Sequence, residues 1–186
     1  MMREFVIQRT GLPWEARVYV GDSEVAELKI AKAGSSHLIE TGPSHHRWSL
    51  TPKVDGHFRP FSMIAREMKE EKGHDISGEA HFLKIKDGLF HHKGKFYMLG
   101  AIPEGVPPKE LLTGAKFICR LDSFPFSEHE EIDHETRNKL RRMQRGVSVG
   151  EIFGFGPKGS HVKLESELDD ISLPLAASIY MISSTA

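Results

Sequence analysis

Eleven histidines, and the carboxylates near them, are the residues of this chain best suited by type to metal or acid–base chemistry. The doublets His45-His46 and His91-His92 fall on expected strands or strand edges. Neighbouring strand residues point to opposite faces, so neither doublet offers two ligands to one metal. His129-Glu130-Glu131-Ile132-Asp133-His134 has the look of a zinc-protease helix, but its second histidine stands at i+5. On a helix that places the two rings about 140° apart, where they cannot share an ion. Gly154-x-Gly156-x-x-Gly159 matches the dinucleotide fingerprint letter by letter. The fingerprint needs a helix N-terminus to receive the pyrophosphate, and here Pro157 lies inside it while Ser160 to Glu165 alternates as a strand. A glycine-rich hairpin is the better reading. Cys119 shares a strand face with Phe117 and Leu121 and reads as a buried thiol rather than a nucleophile. Glu130-Glu131 and Asp169-Asp170 are adjacent acids, solvated or capping, not an opposed catalytic pair. Trp14 and Trp48 read as packing residues, either of which could stack on a ligand if it stood at a barrel mouth.

Charge is sorted more sharply than these motifs. From about Glu128 to Arg145 the sequence predicts a helix, with Ser127 and Glu130 as a capping box and Gly146 as its C-terminal stop. Its first half carries Glu128, Glu130, Glu131, Asp133 and Glu135, and its second half Arg137, Lys139, Arg141, Arg142 and Arg145. That order complements the helix dipole, and Asp133 with Arg137 and Glu135 with Lys139 form i,i+4 pairs. Ile132, Thr136, Leu140 and Met143 make only a narrow apolar stripe, so the helix belongs on the surface. The five bases are the candidate surface for an anionic lipid head group or an acidic partner. A twin helix could also pair with it antiparallel, acid against base, in a homodimer.

The elements around these residues read mainly in twos. Ala16 to Val20 and Val25 to Ile30 flank a Gly/Asp/Ser turn, and His37 to Glu40, Arg47 to Leu50 and Phe61 to Arg66 are further short strands. Phe82 to Lys86 and Leu89 to His92 flank Asp87-Gly88, the strongest hairpin signal present. Lys95 to Leu99, Lys116 to Asp122, Val147 to Phe153 and Val162 to Glu165 complete roughly ten to twelve strands, the number of a mostly antiparallel barrel or sandwich. Leu173 to Ile182 is apolar on every side. Such a helix must be buried all round, and only the β-rich remainder can surround it. A closed antiparallel barrel wrapped around a central C-terminal helix at about 172–184 follows, with the charged helix at about 127–146 as an insertion in a single domain spanning 1–186.

Composition narrows the function classes. Lys and Arg total 25 against 26 Asp and Glu, a formal charge of -1, which argues against general nucleic-acid binding. One cysteine excludes an internal disulfide. The first residues lack the apolar core of a signal peptide, and the ten residues from Leu173 are about half of the ~20 a membrane span needs. A soluble cytoplasmic protein is expected.

The layout resembles the tubby C-terminal-like superfamily, which includes the LURP-one-related proteins and the phospholipid scramblases. Val149-Gly150-Glu151-Ile152, the acidic Glu167-Leu168-Asp169-Asp170 before Leu173 to Ile182, Gly21-Asp22 before Val25-Ala26-Glu27-Leu28, and Arg59-Pro60-Phe61-Ser62-Met63 carry the resemblance. It implies a barrel of about twelve strands around a hydrophobic C-terminal helix, and a non-enzymatic module that touches lipid head groups or partner proteins. The cysteine cluster and proline-rich region of the scramblases have no counterpart here. No cofactor is expected. The alternative expectation is a metal-assisted enzyme with a His/carboxylate site at the barrel mouth.

Overall fold

The structure is a computed structural model, and it describes residues 2–12, 14–31, 35–42, 46–52, 62–71, 74–86, 88–101, 116–124, 147–154 and 160–184. Twelve strands run in chain order: β1 (Met2–Arg9), β2 (Ala16–Val20), β3 (Ser23–Ile30), β4 (Ser36–Glu40), β5 (Arg47–Thr51), β6 (Met63–Glu71), β7 (His74–Ile85), β8 (Leu89–His92), β9 (Lys95–Ala101), β10 (Lys116–Phe124), β11 (Val147–Gly154) and β12 (Ser160–Glu165). A 3-10 turn (Ser166–Ile171) then leads into helix α1 (Ser172–Ser184).

From β1 to β7 and from β8 to β12 each strand pairs antiparallel with its neighbour in sequence, and β12 returns to pair with β1, Met2 facing Glu165 and Ile7 facing Ser160. The result is a nearly closed up-and-down barrel. Its gap lies between β7 and β8, which among the described residues are joined by the single bridge Lys86–Leu89. Those two residues exchange both backbone hydrogen bonds, at 2.8 and 2.9 Å. The chain therefore reverses between Lys86 and Leu89, with Gly88 at φ +82°, but the two strands part at once, and Asp87 lies outside the described residues. β7 follows β6 and β8 follows β9. The other expected turn, His92 to Lys95, has Lys93 at φ +47° and Gly94 at φ +75° and carries a paired hairpin. Positive φ at both central residues matches the twist of paired strands.

Alternation decides what faces inward. Phe5 and Ile7, Ala16 and Val18, Ala26 and Leu28, and Val162 and Leu164 are buried. The residues between them line the outer wall, where opposite charges sit across from each other: Arg17 opposite Glu27, Glu4 opposite Lys163. β7 and β6 start and end beyond the expected runs, and a register shift between Arg66 and Met68 marks where the simple alternation breaks. Register shifts also interrupt the pairing of β10 with β11 at Phe117/Cys119 and at Leu121/Asp122; Leu121 is buried, and the side chains of Phe117 and Cys119 lie outside the described ones.

Helix α1 fills the barrel. Leu175, Ala176, Ala177, Ile179, Tyr180, Met181 and Ile182 are all buried, and the helix packs against β1, β5, β6 and β12. Small residues on one turn and long ones on the next let it sit close to the surrounding wall. Gly150 shows how close the wall itself is packed. It lies between Leu121 and Leu164, and a Cβ there would come within 3.0 Å of Leu164 Cδ2 and 3.1 Å of the Lys163 carbonyl oxygen. The expected charged helix over 127–146 lies outside the described residues.

Candidate functional site

The helix enters the barrel at one rim, here the entry rim, formed by the start of β1, the β8–β9 turn, the ends of β4 and β12 and the start of β5. Polar contacts cluster there because the 3-10 turn must cross the strand ends before α1 can descend. Tyr97 donates its hydroxyl to Glu167 Oε2 at 2.8 Å, and Lys95 Nζ donates to the same oxygen at 3.2 Å. His92 Nε2 donates to Asp170 Oδ1 at 2.9 Å, and Lys93 Nζ reaches Asp170 Oδ2 at 3.2 Å. The tight β8–β9 turn and the strand after it thus place three bases and a phenol against two carboxylates 70 to 78 residues away. From the other side Arg3 donates to Ser172 Oγ at 3.3 Å, while its guanidinium lies 5.0 Å from the Phe5 ring centre. Ser172 Oγ donates in turn to the Asp169 carbonyl at 3.0 Å, so it closes the 3-10 turn rather than capping α1 through a free N–H.

Electrostatics follow from this geometry. Partial burial pushes the Asp170 carboxyl up, but hydrogen bonds from Lys93 and His92 and their charges outweigh it, and the group is held below the usual carboxylate range. Burial, then the hydrogen bond to Glu167 and the charges of Glu167 and Asp170, push the Tyr97 phenol well above its ordinary value. Tyr97 therefore donates at any physiological pH.

Beside this cluster lies a cleft of about 270 Å³. Its apolar lining is Phe5, Val25, Trp48, Leu173 and Pro174, and its polar lining is Arg3, Glu40, Thr41, Asp169, Asp170 and Ser172. Three carboxylates face one guanidinium, a balance that repels anions. Behind Trp48 its register partner Glu67 is buried inside the barrel wall, and His46 Nδ1 donates to Glu67 Oε1 at 2.8 Å.

Several sequence readings can be placed. His91 and His92 do point apart: His91 is exposed, tilted against Phe96 with ring centres 5.0 Å apart, while His92 turns to Asp170. Gly154 pairs with Ser160 across an antiparallel β11–β12 pair, so the glycine-rich run joins strand to strand and not strand to helix. Trp48 is buried at the entry cleft, and Trp14 packs half-buried on the core. Arg137, Lys139, Arg141, Arg142 and Arg145, and the His129 to His134 motif, lie outside the described residues, as do both bounds of the insertion. They belong to the segment between Phe124 and Val147, two strand ends that stand on the entry rim. Among the described residues no three His, Cys, Asp or Glu side chains converge as metal ligands would. The contacts of Tyr97, Lys95 and Arg3 had no signal in the sequence, because their partners are joined to them only by barrel closure. Compared with protein-family models, curated proteins and solved structures, the chain finds no match.

Proposed function

We propose that this chain is a non-catalytic binding module that works through its outer surface and associates with anionic phospholipid head groups. The observation that carries the reading is the position of α1. A barrel of this size otherwise has room to hold one small ligand, and here that room is taken by Leu175 to Ile182. What a ligand meets is the rims and the outer wall. The entry cleft is too acidic to hold a phosphate, so the anion-binding groups must lie elsewhere. The basic run Arg137, Lys139, Arg141, Arg142 and Arg145 is one such set, and the tubby-like layout argues in the same direction. Among the described residues no helix is long and apolar enough to cross a membrane, so the association proposed is peripheral.

Co-sedimentation with vesicles tests it. Full-length protein should pellet with phosphatidylserine- or phosphoinositide-containing vesicles at low salt, should be released at high salt, and should stay in solution with phosphatidylcholine alone. No pelleting with either anionic lipid at low salt overturns the reading. Binding to an acidic polypeptide but to no vesicle assigns the surface to a protein partner instead.

A further inference from the structure

The rim opposite the helix entrance differs from the entry rim in two independent ways. The first is apolar exposure. Leu12, in the β1–β2 loop, is 58% exposed, and Ile30, at the end of β3, is 42% exposed. They are the large hydrophobic residues that the described surface leaves open. They belong together in space. The last β2–β3 pair is Ala16 with Leu28, and both chains run on from there toward Trp14 and Ile30. The loop holds Leu12 close, since its carbonyl accepts from the Glu15 amide at 2.9 Å. The inward parity of Leu28 continues to Ile30, which therefore stands at the edge of the barrel end rather than out on the side wall.

The second difference is charge. Arg9, Arg17, Lys29, Lys84 and Lys86 are exposed at this far rim, Arg9, Lys29 and Lys84 in the last two residues of β1, β3 and β7, Arg17 in the second residue of β2 and Lys86 in the turn after β7. Against them stand only Glu15 and Glu27 among the described residues there, both half-buried, and Glu27 lies 3.7 Å from Lys29. At the entry rim the balance is reversed, with Glu40, Glu165, Glu167, Asp169 and Asp170 against Arg3, Arg47, Lys93 and Lys95, of which Lys93 and Lys95 are already held by carboxylates. Among the described residues the barrel is polarised along its axis, basic at one end and acidic at the other.

We infer that the far rim is the face this protein lays on an anionic bilayer, with Leu12 and Ile30 entering the head-group layer and the ring of five bases meeting the lipid phosphates. Aliphatic side chains that enter the interface, flanked by cations, are the chemistry of a peripheral membrane contact. An acidic protein surface would match the bases but would leave the two aliphatic side chains without a purpose. The polarity sets the orientation, because turning the molecule over would bring the acidic entry rim to the anionic surface. The inference rests on the lipid reading above but assigns the contact to the far rim instead of to the basic run at 137–145.

Four proteins distinguish the two: wild type, the pair Leu12→Ser with Ile30→Ser, the pair Arg9→Glu with Lys29→Glu, and the pair Arg141→Glu with Arg142→Glu. All the substituted far-rim positions are exposed, so folding should be kept, which a melting curve checks. With phosphatidylserine vesicles at low salt, the Leu12/Ile30 pair should bind about tenfold more weakly than wild type, and Arg9→Glu with Lys29→Glu should lose a similar factor. Trp14 supplies a second readout on the same rim: in a Trp48→Phe background its fluorescence should be quenched by a quencher on the lipid chains. If Arg141→Glu with Arg142→Glu abolishes binding while the Leu12/Ile30 and Arg9/Lys29 pairs bind as wild type does, the far-rim inference is overturned and the lipid reading stands. If wild type binds polyglutamate as tightly as vesicles and the Leu12/Ile30 pair changes neither, the face is a site for an acidic protein and the bilayer assignment is wrong. Absence of vesicle binding by wild type overturns both.

Discussion

Two residues test how polar groups are accommodated in so apolar a fold. Ser178 sits in the middle of α1, fully buried, and its Oγ has no hydrogen-bond partner among the described residues. A buried hydroxyl that makes no bond keeps its desolvation cost without recovering it. Ser178→Ala should therefore raise stability by about 1 kcal/mol, read as a rise in Tm, whereas a fall would mean that a partner for the hydroxyl exists in solution. Asp170 is the opposite case, a carboxylate held by Lys93 and His92 at the entry rim. Its folded pKa is depressed, so its contribution is present above the unfolded carboxylate range and is lost as pH falls through the folded value. The side chain is 43% exposed, so solvent screening keeps the contribution below about 1 kcal/mol. Asp170→Asn should cost little at neutral pH and should flatten the loss of Tm on acidification. If the acid limb of the Asn variant overlays that of wild type, this carboxylate does not latch the turn.

At the scale of elements, α1 is the piece on which the others depend, and its burial on every side gives the sharpest mutational expectation. Ala177 lies against the wall with almost no exposure. Ala177→Asp would place a carboxylate where no partner and no water can reach it, at a cost on the order of 5 kcal/mol, comparable to the whole stability of a domain. Soluble, cooperatively melting Ala177→Asp protein would show that the helix is not the core of the barrel. This helix was legible in the sequence because a ten-residue apolar run has only one stable place in a β-rich chain. The strands were legible for the same kind of reason: Ala16, Val18, Ala26 and Leu28 alternate with charged residues, and period two admits no other element. The entry rim was not legible. Tyr97 meets Glu167 and His92 meets Asp170 only because β12 closes on β1 and carries the 3-10 turn back over the β8–β9 turn. Contacts across 70 to 78 residues leave no mark on local pattern. Asp87-Gly88 illustrates the reverse limit. The chain does reverse between Lys86 and Leu89, yet turn chemistry sets only the reversal of the chain and not how far the two strands stay paired.

For the whole molecule, the seam between β7 and β8 is where the barrel should open first. Every other neighbouring pair is held by a ladder of four or more residue pairs, as in the short β8–β9 pair, whereas Lys86–Leu89 is the one bridge across the seam among the described residues. Local opening follows the density of such bonds, since a strand edge with few of them gives up little when it separates. The tight Gly88 turn keeps the two strands tethered at the far rim, where the Leu99 amide also donates to the Gly88 carbonyl at 2.8 Å. Opening should therefore start at the entry rim and run toward that turn, loosening the Lys93 and Lys95 contacts on the 3-10 turn before the helix itself is exposed. Native-state hydrogen exchange checks this directly. Amides of β8 and of the β7 edge should exchange well before those of β1 and β12, whose six residue pairs close the opposite side of the ring. Exchange in β8 should also quicken when Lys93→Ala and Lys95→Ala remove the contacts that pin its turn to Asp170 and Glu167. Uniform protection around all twelve strands, unchanged in that double variant, would mean that the barrel is effectively closed and that the helix can leave only by global unfolding.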